Sequence, residues 1–394
     1  MLVKDVKAYR AYLNAYYKQY PTVFPTGFDK GFQWHDSRIS KKHNELMIRR
    51  IKLTDGRIYE LSPCSMMPYL SGQTSLVSKG LLLRHWAVPY TVIAQVLGRD
   101  ASFWECCEQS LARISVVGSV TKRGALPIHL AADEKVTYWN GQEVYIGLSI
   151  SGDCVLGAEL SLKEDTAQLQ EAYGVFAQEA RDVEPTYQPK SVNLDGWKAT
   201  NQAWTNLFPH ITIVLCFLHA FLKIRDVGKG LKEGFHQIGN KIWQAYRQPT
   251  ESLFRTELAT LLIWASLELT LNERVKAKIE DLCGKVDRFA VAYEHPECYR
   301  TSNQIDRPMN ALDRYLYQIR YFKGHRQSAN QKVRAWALIY NFMPFCDRVQ
   351  KRKTSPKKSS RFEERNGFVY SANWLENLLI AGSMNGFRAS PKIR

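Results

Sequence analysis

Residues 191–217 read SVNLDGWKATNQAWTNLFPHITIVLCF, and their pattern decides the fold. A short apolar run at 191–194 stops at Asp195-Gly196, residues 198–207 follow at helical spacing, and 211–217 form a strongly apolar strand. Working back toward the N-terminus, 128–138 alternates toward a strand. Residues 144–150 and 154–160 give two more, joined by the tight turn Ser151-Gly152-Asp153. Between them and the opening stretch, 165–181 sets Leu169, Ala172, Tyr173 and Phe176 at helical spacing. The order is three strands, helix, strand, helix, strand.

Three antiparallel strands followed by αβαβ is the ribonuclease-H-like arrangement, in which strand ends bring acidic side chains together. The pattern therefore predicts an α/β ribonuclease-H-like catalytic domain with a mixed five-stranded sheet. Past 211–217 the chain turns helical from 220 to 293, with heptad-like runs such as Leu253, Leu258, Leu261, Leu262 and Trp264, and this reads as an all-helical insertion ended near His295-Pro296. Amphipathic helices are expected at 301–322 and 333–342, then a basic linker KRKTSPKK at 351–358 and a short helix around 374–381. The expected layout is a basic, helical, helix-turn-helix-like DNA-binding region at 1–125 and a catalytic core at 126–219 and 299–345. The insertion occupies 220–298 and a basic tail 346–394.

The chain has 394 residues, 45% of them apolar, enough for a full core and incompatible with a disordered or fibrous class. Charges and tyrosines run through the first twenty residues, which excludes the apolar core of a signal peptide. The longest apolar stretch, 211–222, contains His219 and falls short of the ~20 residues of a membrane helix. The eight cysteines include no Cys-x-x-Cys pair, which argues against a disulfide framework and a four-cysteine zinc site. A soluble, cytoplasmic and nucleoid-associated protein is expected, with no membrane partner.

Lys and Arg number 54 against 38 Asp and Glu, a net charge of +16. Residues 1–128 hold 18 basic and 9 acidic side chains, 129–306 hold 18 and 24, and 307–394 hold 18 and 5. Two basic flanks thus enclose an acidic centre. Each cation set against a phosphate releases counterions, so a polyanion, DNA first of all, is the expected partner. Residues 75–84, 90–97 and 102–113 read as short helices, the last two joined by Gly98-Arg99-Asp100. This suggests a helix-turn-helix as readily as a plain helical bundle. Lys41, Lys42, Arg49 and Arg50 form one basic cluster, and Arg99, Arg113, Lys122 and Arg123 add to the same flank.

Three acids stand where an acid is hard to explain structurally. Asp133 lies inside the first strand of the core, Asp195 ends the 191–194 strand, and Asp306 opens the 301–322 helix. Carboxylates in apolar strand ends are costly unless paired or bound to cations. Two Mg²⁺ or Mn²⁺ ions would satisfy the three and activate water or a hydroxyl for attack on a phosphodiester. Glu134, next to Asp133, points to the opposite strand face and is not expected to be a ligand. Arg307 and Arg314 share a helix face beside the third acid and could hold a DNA backbone there.

HLAADEK around Asp133, NLDGWKATNQAW around Asp195, Cys216-x-x-His219 in LCFLHAF, the TSNQIDR motif and the C-terminal NGFVYSANWLENLL form a set. Together they resemble prokaryotic insertion-sequence transposases of the DDE type, related to the Mutator-like superfamily, over about residues 60–390. The resemblance implies a ribonuclease-H-like fold and two Mg²⁺ or Mn²⁺ ions held by Asp133, Asp195 and a third acid. It also implies cleavage and strand transfer of the element's terminal inverted repeats into target DNA, with a homodimer or higher assembly on DNA. His219 would contact a phosphate or the active site. The third acid in that family is usually Glu; the matching position is Asp306, with Glu294 and Glu297 as alternatives. A DNA-binding regulator that has lost activity, and a nuclease without strand transfer, are the competing readings. Trp264 is a further candidate for stacking on a base.

Overall fold

The computed structural model describes residues 2–40, 46–68, 70–231, 233–268, 271–352 and 354–383. Lys41 and Lys42 lie outside these residues.

The protein is a mixed α/β fold. Its N-terminal part is a helix, α1 (Val6–Gln19), packed on an antiparallel sheet of β1 (Phe32–Ile39), β2 (Met47–Leu53) and β3 (Ile58–Leu61). The Asp5 carboxylate caps α1 by accepting from the N–H groups of Lys7 and Ala8 at 3.0 and 2.9 Å. Leu13 of α1 meets Phe28, Phe32, Ile51 and Leu53 in a small core separate from the main one. The N-terminal region expected to be helical therefore also contains a three-stranded sheet. Phe32 is the one fully buried position of β1, so the strand carries no two-residue alternation to read.

Helices α2 (Thr74–His85), α3 (Tyr90–Leu97), α4 (Ala101–Leu111) and α5 (Val116–Val120) follow. Next comes the main sheet: β4 (His129–Trp139), β5 (Gln142–Ser151), β6 (Cys154–Ser161), helix α6 (Thr166–Val183), β7 (Ser191–Leu194), helix α7 (Lys198–Leu207) and β8 (Thr212–Leu215). The five strands are ordered β6-β5-β4-β7-β8; the first three pair antiparallel, and β4, β7 and β8 run parallel. Leu169, Tyr173, Phe176, Ala177 and Ala180 line one stripe of α6 and are buried on the sheet. That stripe and α7 cover the face to which Glu134 points, because the Glu134 carboxylate accepts from Tyr173 and Thr200 at 2.8 and 2.6 Å.

Helices α8 (Phe217–Gly228), α9 (Glu233–Tyr246), α10 (Glu251–Leu267), α11 (Glu273–Gly284) and α12 (Val286–Ala290) bury a second core around Phe217, Ile242, Phe254, Leu258 and Ile279. The chain then returns to the main core with α13 (Asn303–Gln318) and α14 (Arg326–Phe342), and ends in α15 (Asp347–Gln350), α16 (Arg361–Asn366) and α17 (Trp374–Ala381). Strand β6 would be an open edge, and α14 closes it. The Asn341 amide accepts from Val155 N–H at 2.9 Å and donates to its carbonyl at 2.8 Å, while Asn330 accepts from Leu160 N–H at 3.0 Å. Among the described residues no helix is long and apolar enough to cross a membrane.

Helices α2, α4 and α5 share the main core with the sheet, through Val77, Leu81, Cys107, Leu111, Val116 and Val120. Helix α4 buries Trp104, Cys107, Glu108 and Leu111. Its exposed positions are Ser102 and Cys106, neither of them basic. Burial therefore makes α4 a core helix and gives no support to its use as a recognition helix.

Candidate active site

Strands β4 and β7 pair parallel, with Ala131 opposite Asn193. Asp133 lies two residues beyond Ala131 within β4, and Asp195 follows the last residue of β7, two beyond Asn193, so the two acids come to the same end of the β4–β7 pairing. Strand β7 ends at Leu194, whereas β4 runs on to Trp139, and the acids sit where that pairing stops. Asp195 is held by its own turn: its carboxylate accepts from Trp197 N–H at 2.8 Å. Gly196 has φ +97°, and a Cβ there would lie 2.4 Å from the Leu215 side chain, so glycine is required at 196 on two grounds.

The third acid arrives by a backbone splice. Phe217 N–H donates to the Arg300 carbonyl at 3.0 Å, and Ser302 N–H donates to the Cys216 sulfur at 3.1 Å. These bonds tie Thr301-Ser302-Asn303 to the end of β8. Buried Ile305 then anchors the first turn of α13, which carries Asp306. The sequence motif pointed to Asp306 but not to Ser302, whose backbone makes the link. His219, in the first turn of α8, completes the group.

The electrostatics couple these four side chains. Burial pushes the Asp133 carboxyl up to about 6; the His219 charge and the N–H of Glu134 oppose this, and Asp195 and Asp306 add to it. Burial likewise raises Asp306, with His219 and Ser302 opposing. Asp195 and Asp306 are thus the carboxylates that act most on Asp133, whereas Glu297 acts on His129 at the far end of β4. This favours Asp306 over Glu297 as the third acid. Glu134 is pushed up to about 7 by burial on the opposite face, against the hydrogen bonds from Thr200 and Tyr173.

The imidazole of His219 is raised to about 9, first by the Cys216 sulfur, against burial, and further by Asp133 and Asp195. Its Nδ1 is buried with no hydrogen-bond partner. The folded value lies above the ordinary 6.5, so the imidazolium stabilises the fold fully below about 6.5. That contribution is lost as pH rises through about 9. Histidine NMR is expected to show this titration, and Asp133→Asn should move it downward; a midpoint unmoved by that substitution would show that Asp133 does not act on the ring.

No lysine or arginine forms an ion pair with Asp133, Asp195 or Asp306 among the described residues. Three half-buried oxygen donors with no lysine or arginine paired to them, and one histidine beside them, suit a hard divalent cation in kind. Among the described residues, however, no three His, Cys, Asp or Glu side chains close around a single position. The fold places the donors at one strand end and leaves the cage open.

The other basic residues singled out from the sequence are dispersed. Arg50 pairs with Asp36, and Arg49 donates to the Val3 carbonyl at 2.6 Å and lies over Trp34. Arg99, in the α3–α4 turn at φ 65°, donates to the Ser71 carbonyl. Lys122 lies over Phe368, while Arg113 and Arg123 are exposed. Arg307 and Arg314 are both exposed on α13, and Arg307 reaches Asp153 at 3.4 Å. Trp264 is half-buried in the helical insertion beneath the Lys241 ammonium. In comparison with known proteins, no family model matches the chain, and no curated sequence matches it.

Proposed function

We propose that this chain is a DNA transposase with a ribonuclease-H-like catalytic domain, cutting its element's terminal inverted repeats and joining them to target DNA. One observation carries the reading: Asp133 of β4 and Asp195, just past the end of the neighbouring parallel strand β7, stand at the same end of that pairing, and Asp195 and Asp306 both act on the Asp133 carboxyl. The strand order, with three antiparallel strands and then two parallel ones reached through helices, supports it. So does the all-helical segment between β8 and α13.

Asp133, Asp195 and Asp306 would hold the metal ions. When bound, a Mg²⁺ or Mn²⁺ pair supplies activation of the attacking oxygen and charge stabilisation at the phosphorus. The chain's own residues do the rest. His219, charged at neutral pH, sets a positive charge beside the carboxylates where a phosphate would lie, and Arg307 and Arg314 hold the backbone on the exposed side of α13. Water attacks the first phosphodiester, and the freed 3′-hydroxyl then attacks the target. Synapsis of two ends calls for a homodimer or larger assembly on double-stranded DNA.

A supercoiled plasmid carrying the element's ends, incubated with Mg²⁺ or Mn²⁺, is expected to give nicked circles and joined products. Nicks without joined products would reduce the reading to a nuclease. DNA binding with no nick in either metal would leave a regulator that has lost activity, and would sink the transposase.

A further inference from the structure

Helix α13 runs along β4 and joins the acids to a second site. Asp306 lies at its start beside Asp133. At the other end Phe322 N–H donates to the Tyr138 carbonyl at 3.0 Å and Asn140 N–H to the Phe322 carbonyl at 2.9 Å. Five strand residues from Asp133 to Tyr138 span ~17 Å. Twelve helical residues from Asp306 to Gln318 span ~18 Å. The two lengths agree, so both elements connect the same two places. Tyr317, 74% exposed, stands eleven residues after Asp306, close to three full turns, and therefore on the same helix face.

At the far end Tyr138, Asn140, Arg320, Tyr321, Phe322 and Lys323 line an open cavity of about 490 Å³. The Tyr138 and Tyr321 rings meet edge to face at 5.2 Å and both are exposed, which leaves ring surface open for stacking. Arg320 and Lys323 are exposed and form no ion pair among the described residues. The nearest acid along the strands is Glu143, the register partner of Tyr138, and its carboxylate already accepts from the Tyr145 hydroxyl at 2.7 Å. Arg320 and Tyr321 have φ values of 57° and 62°, a left-handed conformation rare for such residues and unlike the Asn or Gly usual there. The splice of Gly324 to Asn140, at 2.9 and 3.0 Å, holds them in it.

We infer that this cavity binds one unpaired nucleotide of a DNA strand whose backbone follows α13 from the acids. A base stacks on Tyr138 or Tyr321, and its phosphates meet Arg320 and Lys323. At 3.4 Å per nucleotide the ~17 Å separation places the bound base about five nucleotides from the cleaved phosphate. This rests on the proposed function, and its test separates the two.

The test is binding, by fluorescence anisotropy without metal, of a labelled forked duplex with unpaired nucleotides at one end. Tyr321→Asn removes the ring and suits the left-handed backbone, so it is expected to weaken binding about 5- to 100-fold while the melting temperature holds or rises. An abasic nucleotide about five positions from the phosphate that the unaltered protein cleaves should erase the difference between Tyr321→Asn and the unaltered protein. Arg320→Asn with Lys323→Gln should lower the salt dependence by about 1.4 in slope, two phosphates at ~0.7 each. Unchanged affinity and slope in both variants, with plasmid nicking intact, would overturn the subsite alone. Failure of the unaltered protein to bind any DNA would overturn the subsite and the proposed function together.

Discussion

Asp133→Asn is expected to reduce plasmid cleavage by about 10³-fold or more, because it removes one charge from the set that would hold the ions. Metal stabilisation is worth several kcal/mol, and each ~1.4 kcal/mol is a factor of ten. Asp195→Asn should do the same. Neither should weaken DNA binding, since removing a carboxylate lessens repulsion of phosphate. A second readout distinguishes loss of function from loss of fold. The rise of Asp133 from 3.8 to about 6 means that ionising it in the folded protein is a cost, absent below pH 3.8 and complete above about 6. At neutral pH that cost is roughly 3 kcal/mol, so the asparagine variant should be ~1–3 kcal/mol more stable to urea than the unaltered protein. A carboxylate held at a stability cost and required for cleavage is the signature of a functional site. Cleavage at the normal rate by Asp133→Asn would remove the basis of the proposed function. Normal cleavage by Asp306→Asn, together with loss in Glu297→Gln, would move the third acid to Glu297.

The five-strand core was legible because its signals are local. Predicted strands at 144–150 and 154–160 became Gln142–Ser151 and Cys154–Ser161, and the helix at 198–207 became Lys198–Leu207. Strands β5 and β6, buried on both faces over most of their length, read as short apolar runs bounded by turn residues, and α7 keeps a 3.6-residue period with one face buried. The N-terminal sheet left no such trace, because β1 exposes nearly all its side chains and β2 packs on α1, whose buried contact is Leu13. Helices α2 and α4 are readable as helices but not as part of the main core. What ties them there is distant in sequence: Glu108 accepts from Tyr315 of α13 at 2.9 Å and pairs with Arg84. Asp133 and Asp195 are legible from their odd position in or after apolar strands and Asp306 from its place at the start of a helix; what brings the first two together is the parallel pairing of β4 with β7. The cavity beyond α13 gave no signal, because it depends on a left-handed backbone at Arg320 and Tyr321 that no residue type there announces.

Arg334→Met is expected to cost ~3–5 kcal/mol of stability. Arg334 lies in α14 with 2% exposure, beside Glu159 of β6 and Glu179 of α6, at 3% and 2%. Its guanidinium pairs with Glu159 and, at 2.5 Å, with Glu179, and donates to the carbonyls of Ala112 and Ile114 at 3.3 and 3.1 Å. Glu179 also accepts from the Ser115 hydroxyl and Val117 N–H, and Glu159 from Asn330. Methionine would leave two carboxylates buried without a cation, whereas lysine keeps the charge but cannot form the fork, and should lose less. Urea unfolding checks both. Removing all three charges at once, with Glu159→Leu and Glu179→Met added to Arg334→Met, should recover most of the loss, because the penalty comes from uncompensated charge rather than missing volume. If the triple variant stays as unstable as Arg334→Met, the role of the arginine is geometric: it would be needed to bind the 112–117 segment, and with it α5, to the sheet that carries Asp133.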